Sequence, residues 1–390
     1  MHPERPDRKN PPSIRNEGRH NFSATLSHDE FARLDFSMTS NFYVSQNLFP
    51  GMMSAWKKRQ KNKFVKIVGR APKKRHEIRP FMKADPVWQL WSSLKRNNQE
   101  MSYQTRGEVI NRQIDIISKN SKNNGKTHSK IFLNPNLIIP KYITTVDIHC
   151  MPGGYNSDEG RGFYSGFNYD TASLFLATGG ELGKWNDGAG WSNVAFIKHK
   201  FPNFRPKKIL DLGCSVGHST LPLKQAWPNA EVFAIDACAP LLRYAYKRSN
   251  ELKVKINFSQ QNAESTEFPS STFDLIVSTM FMHEIPQKPL LTIGKEIFRI
   301  LKSGGIMLHN EQPQYHDQPI PEQFFREWDT FYNNEPMRCA FRDMDLKSWI
   351  TKSGFSPEKF STSLAPGAIN TKNGLKISEN GFWFMVCSIK

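Results

Sequence analysis

Residues 207–227 read KKILDLGCSVGHSTLPLKQAW. A short apolar run ends in Asp211, Gly213 and Gly217 follow, and a helix-forming stretch closes at Pro228. A strand, a glycine turn and a helix in that order bring backbone close to a ligand. A dinucleotide-binding turn would need glycine at 215 and 218, where Ser215 and His218 stand, and a phosphate-binding P-loop needs a Gly-Lys-Ser/Thr ending that is missing. The ligand therefore need not carry phosphates.

Working outward, strands and helices alternate. KKILDLG (207–213), EVFAIDA (231–237), KINFSQQNA (255–263), FDLIVSTMFMHEI (273–285) and IMLHNEQ (306–312) read as strands with their exits. HSTLPLKQAWP, PLLRYAYKRSNEL, PLLTIGKEIFRILKSGG and DLKSWITKSGF read as helices. PEKFSTSL (357–364) and GFWFMVCSIK (381–390) close the chain as an antiparallel pair, which makes seven strands. Strands this apolar, separated by helices, imply an α/β fold with a mostly parallel sheet covered on both faces. Ligands in such sheets bind beyond the carboxyl ends of the strands, where strand order reverses.

The second strand ends in Asp236, 25 residues after Asp211. An acid there can accept hydrogen bonds from both hydroxyls of a ribose, and it can equally be a solvated strand end. Asn262 and Glu264, with the Ala263 backbone, can address an adenine edge.

These residues resemble a known family. ILDLGCSVGHS, VFAIDA, QNAESTEFPSSTFDLIVS and FRILKSGGIMLHNE occur in an order and spacing similar to class I S-adenosylmethionine-dependent methyltransferases, of the type found in ubiquinone and menaquinone biosynthesis. The resemblance covers about residues 205–390. It implies a Rossmann-like sheet and S-adenosyl-L-methionine as cofactor. It places Asp211, Gly213, Ser215 and Gly217 at the methionine part, Asp236 and Ala237 at the ribose, Asn262 and Ala263 at the adenine, and Ser278 in the pocket wall. Two positions depart from the family pattern: Ser215 replaces a glycine, tolerable if its φ stays negative, and Asn262 replaces an acid.

Methyl transfer is an in-line displacement, so positioning carries much of it and a base is needed only if the acceptor loses a proton. His283, after the fourth strand, is the candidate base, and Glu284 is the candidate to orient it or to position the acceptor. His309 and Glu311 form a second pair at the same edge. HEIP lacks the spacing of a zinc site, since position 287 is Gln, so no metal is assigned.

The first half of the chain is less legible. Residues 1–30 are rich in Pro, Asn and Arg and read as a disordered tail. Residues 31–150 read as a basic, mainly helical region capping the sheet. Residues 51–150 hold 21 Lys and Arg against 6 Asp and Glu, which is +15 of the chain's +17. That surface is either simply solvated or suited to a polyanion: nucleic acid, an anionic lipid surface or an acidic partner. Around it, Trp56 and Phe64 are candidates for stacking on bases. Residues 151–204 form a connecting or lid segment, and 151–190 hold 10 of the 24 glycines with Tyr155, Phe163, Tyr164 and Tyr169 between. Phe324, Phe325, Trp328, Phe331 and Tyr332 are either the wall of an apolar acceptor pocket or a helix packing stripe.

Five cysteines without a CxxC pair, no apolar leader at the N-terminus and no run of 18 apolar residues point to a cytoplasmic chain without a transmembrane segment. Three functions remain open. They are methyl transfer to a small-molecule acceptor, methyl transfer to RNA or protein through the basic region, and a non-catalytic S-adenosylmethionine-binding role.

Overall fold

The computed structural model describes residues 13–120, 128–158 and 162–390. Its sheet is built on β1 (Lys130–Phe132), β2 (Lys208–Leu212), β3 (Glu231–Asp236), β4 (Asn257–Gln260), β5 (Phe273–Thr279), β6 (Leu301–Glu311), β7 (Phe360–Thr371) and β8 (Gly374–Ile389). The spatial order is β1-β4-β3-β2-β5-β6-β8-β7. All pairs are parallel except β6–β8 and β7–β8. Successive strands β2, β3 and β4 run to one side and β5 and β6 to the other, so the order reverses between β2 and β5. The ends of those two strands open the crevice.

Side-chain alternation splits the sheet into two cores. Ile209, Val232, Ala234, Leu275, Val277 and Leu308 pack on one face with helix Gly188–Lys200. Leu210, Leu212, Ile235, Ile276 and Met307 pack on the other with helix Gln287–Ile300. Burial on both faces explains why these strands read as unbroken apolar runs.

The sheet has eight strands among the described residues, not the seven expected. The extra one, β1, comes from the region read as mainly helical. Three residues are too few to show a period, and the strand forms because β4 offers a free edge. Lys130 N donates to Ile256 O at 2.9 Å, and the Asn250 side chain accepts from His128 N and Ser129 N. The terminal pair is also longer than expected. β7 and β8 pair from Thr371↔Gly374 to Phe360↔Ser388, around an irregularity at Pro366.

The tail expected over 1–30 is packed from Ser13 onward; residues 1–12 lie outside the described residues. Ile14, Phe22, Ala24 and Leu26 are buried with Leu34, Val109, Phe167 and the sheet-side residues Val216, Leu241 and Tyr244. Sparse apolar residues, each placed on a larger surface, hold a segment whose composition alone suggests disorder. Ser27 and Glu30 then form a capping box that starts helix His28–Tyr43. The 35-residue helix Pro86–Asn120, about 50 Å long, spans this half.

Phe324, Phe325 and Trp328 pack with Trp56, Trp88 and Trp91 in a further core, and Phe331 is exposed. None of the five expected pocket aromatics faces the cavity described below. The insertion after β6, residues 312–341, reaches it instead through Gln312, Asp329, Asn333, Glu335 and Arg338.

Candidate active site

A cavity of about 670 Å³ lies beyond the carboxyl ends of β2, β3 and β5, within the size range of small-ligand sites. Of the expected site residues, Asp211, Gly213, Ser215, Asp236, Ala237, Asn262, Ala263, His283 and Glu284 line it.

The turn after β2 is held to β3 by its backbone: Gly213 N and Cys214 N both donate to Ile235 O, at 2.9 and 3.0 Å. Gly213 has φ +67°, and a Cβ there would meet the Phe281 ring at 2.3 Å. Phe281 thus packs over this glycine and narrows the crevice on that side. Ser215 has φ +48°, so the condition of a negative φ is not met. Its backbone is held there by N–H donation to Asp236 Oδ2 at 2.9 Å. Asp236 Oδ1 accepts from Cys238 N, also at 2.9 Å. The Asp236 carboxylate therefore joins two turns and still faces the cavity. Burial raises its pKa, against these N–H donors.

Asp211 is buried, and its carboxylate accepts from the Thr220 hydroxyl at 2.6 Å. Among the described residues no cation pairs with it, and burial pushes its pKa up to about 7. Asn262 accepts from Glu264 N through its side-chain oxygen, and Glu264 in turn takes the Tyr142 hydroxyl.

Two expected wall residues are elsewhere. Gly217, with φ +83°, donates to Cys214 O and shapes the turn from behind. Ser278 is fully buried with its hydroxyl 2.6 Å from His309 Nδ1. Strand alternation sends Ser278 away and puts Thr279 on the cavity. His309 leaves the site for the same reason, and burial lowers its pKa to about 4. The second His/Glu pair is thus divided: Glu311, not Glu284, orients His283.

Glu311 lies beneath the turn after β5. It accepts from Phe281 N (2.7 Å), Met282 N (2.5 Å) and His283 Nδ1 (2.8 Å). Burial alone would lower the His283 pKa, but the Glu311 carboxylate raises it above the ordinary value. Glu284 accepts from the Tyr155 hydroxyl at 2.8 Å and stands 3.3 Å from His149 Nε2. His149 Nδ1 is 3.1 Å from Glu335, which also binds Arg338 and lies 3.9 Å from His283 Nε2. Burial disfavours the charge on His149, yet Glu335 and Glu284 together hold its pKa well above the ordinary value. His149 and Cys150 both have positive φ, +55° and +61°, a strained pair fixed at the cavity wall.

Sequence reasoning missed His149, Glu335 and Arg338, which sit in stretches without a motif. It also missed the buried carboxylate Asp170, behind the glycine turn. His218 Nε2 and the Tyr244 hydroxyl lie 2.6 and 2.5 Å from its oxygens, and His20 and Arg248 approach to 3.5 Å. Burial opposes this charge, but the histidines and Arg248 hold Asp170 well below the usual carboxylate range. The N-terminal segment is thereby tied to the glycine turn. Of the lid tyrosines, Tyr155 and Tyr169 line the cavity, and Tyr164 is in the core.

Residues 209–305 match the family model described as a methyltransferase domain. That segment contains the glycine turn, Asp236, Asn262 and His283. The segment is similar to methyltransferase domains. The chain is 32% identical over 151 residues to a demethylmenaquinone methyltransferase of Lactococcus lactis, covering 37% of this chain and 57% of that one. It is 29% identical over 160 residues to a malonyl-[acyl-carrier protein] O-methyltransferase of Paenibacillus, covering 38% and 55%. The chain thus spans a little over half the length of these relatives. A solved phosphoethanolamine N-methyltransferase of Haemonchus contortus matches 57% of each chain at 15% identity and a TM-score of 0.41. No helix among the described residues is long and apolar enough to cross a membrane.

Proposed function

We propose that this chain transfers the methyl group of S-adenosylmethionine to a small-molecule acceptor carrying a hydroxyl or amine, held between the methyltransferase domain and its N-terminal cap. The observation that carries the proposal is one cavity lined by two chemically distinct sets of residues. Asp211, Asp236 and Asn262 line it after β2, β3 and β4, and His283, Glu284 and His149 line it from the turn after β5 and from the cap side. The relatives' named acceptors differ from one another, so the acceptor class rests on the cavity.

The carboxylate end fits the cofactor. Asp211 is buried without a cationic partner, and a bound ammonium or sulfonium would offset that cost. Each Asp236 oxygen uses one lone pair on a backbone N–H and keeps another for a ribose hydroxyl. Asn262 and the Ala263 backbone would flank the adenine. When bound, S-adenosylmethionine supplies an electrophilic methyl group on sulfur.

The rest falls to this chain's residues. Glu311 holds the His283 ring by Nδ1, which leaves Nε2 as the atom that accepts the acceptor's proton. The cap and the 155–186 segment complete the wall through Tyr103, Arg106, Tyr155, Tyr169 and Asn186, which limits water. Gathering two reactants in one enclosure is itself a large part of such catalysis. A cavity of about 670 Å³ also favours a small acceptor over RNA or protein.

Calorimetry with S-adenosylhomocysteine, followed by mass-spectrometric screening of hydroxyl and amine acceptors, tests the reading. Saturable binding and a 14-dalton gain on one acceptor class are expected, on the order of one methyl per turnover. Absence of cofactor binding would overturn it.

A further inference from the structure

The structure points to a second working surface, unconnected with the cavity: we propose that helix 57–68 and the loop after it dock on an anionic lipid membrane. Between residues 57 and 74 there are nine Lys and Arg and no Asp or Glu. Arg59 and Arg70 are used internally, on Asp85 and Glu77. The other seven, Lys57, Lys58, Lys61, Lys63, Lys66, Lys73 and Lys74, are exposed, and none forms a side-chain ion pair among the described residues.

What stands between these lysines decides the kind of polyanion. Trp56 and Phe64, the two aromatics suited to stacking on bases, are 2% and 1% exposed and belong to the core with Phe81 and Trp88. They are closed to a nucleic acid. The side chains left outside are aliphatic: Val65 at 39%, Ile67 at 67% and Val68 at 40% exposure. Nucleic-acid phosphates give aliphatic side chains nothing to bury into. An anionic bilayer meets both needs, since its headgroups attract the lysines and its acyl boundary takes the aliphatics.

Phe64 fixes the helix to the protein, so the surface is presented preformed. Gly69, with φ +77°, ends the helix, and nothing lies within 4 Å of its Cβ position. The chain then turns towards Lys73 and Lys74, which adds two more charges at the helix end.

The test is co-sedimentation of the full chain with vesicles of phosphatidylcholine containing phosphatidylglycerol, against vesicles of phosphatidylcholine alone. Binding is expected only to the anionic vesicles and should fall steeply with added salt. Combined K61E, K63E and K66E should lower it at least about tenfold. Ile67→Ser should weaken it a few-fold at constant charge. Circular dichroism and S-adenosylhomocysteine binding serve as controls for folding. Equal binding to neutral vesicles, no binding to anionic ones, full retention by the charge-reversed variant, or capture by tRNA in preference to the vesicles would each overturn the proposal. Failure here leaves the methyl-transfer reading untouched, since that is judged by cofactor binding in solution.

Discussion

The two ends of the cavity are built in different ways. The cofactor end is assembled from consecutive strand exits: Asp211 after β2, Asp236 at the end of β3 and Asn262 after β4. Its partners are mostly backbone N–H groups within one strand–turn–strand neighbourhood. The acceptor end gathers His149 from the cap side, His283 after β5, Glu311 at the end of β6, and Glu335 and Arg338 from the insertion. Its partners are side chains drawn from separate segments, as far apart as His149 and Glu335. Strand ends position a ligand by topology, whereas the acceptor end depends on every peripheral segment arriving. Changes at the first should alter affinity, and changes at the second should alter turnover and stability.

The largest effect is expected at His283. His283→Gln should cut kcat by about 10²–10⁴ with S-adenosylhomocysteine affinity unchanged. Stopped or steady-state rates beside calorimetry check it, and a parallel loss of affinity would dissolve the division between the two ends. The raised pKa of His283 adds a sign. The ring is a base only when neutral, so kcat should rise with pH through a midpoint above the ordinary histidine value.

Next comes Glu335→Gln. It removes the carboxylate that His149 and Arg338 share and leaves each with one acid, Glu284 and Asp329, so a loss of about 1.5–3 kcal/mol in unfolding free energy is expected. Denaturant titration measures it. A small loss would mean that the acceptor end is held by packing rather than by its charges.

Asp236→Ala belongs to the other end. Removing a charged acceptor of ribose hydroxyls is worth about 1.5–3 kcal/mol, or roughly ten- to a hundredfold in cofactor affinity. Its calorimetric Kd should move while kcat at saturation holds nearly constant.

A further effect, outside the comparison of the two ends, is on pH-dependent stability without ligand. Asp211 and Glu17 are both raised to about 7 by burial, against about 4 in the unfolded chain. Between those values the folded state keeps protons that the unfolded state has released. Stability should therefore be fullest below about pH 4 for these two groups and decline until about pH 7, where the loss is complete. Asp170, shifted the other way, contributes stability above the ordinary carboxylate pKa and loses it only in stronger acid. Thermal melts from pH 5 to 8 test the decline. Saturating cofactor should flatten the share due to Asp211, and no flattening would break the match between that carboxylate and the cofactor's cationic group.

The sheet was legible because its strands are buried on both faces and so leave unbroken apolar runs. The glycine turn was legible because Asp211, Gly213 and Gly217 sit in one short segment, whereas the spatial order of the strands came only with the structure. β1 escaped because three residues carry no period. Residues 13–27 escaped because four scattered apolar side chains look like disorder until a surface receives them. Ser278 and Thr279 were exchanged because strand parity at an exit depends on where the strand begins. The positive φ of Ser215 was not legible because the group that holds it, Asp236, is remote in sequence.

By itself, the sequence determined the alternating strands and helices, the crevice beyond β2 and β3 and the acids at its rim. Those follow from local periodicity and turn chemistry, which neighbouring residues carry. Only the tertiary structure decided that Glu311 orients His283, that Glu335 joins His149 to Arg338, and that Phe324, Phe325 and Trp328 after β6, like Trp56 and Phe64 of the basic region, face inward. Those outcomes depend on which distant surface a segment meets, and burial and charge pairing across long loops leave no periodic mark in the chain.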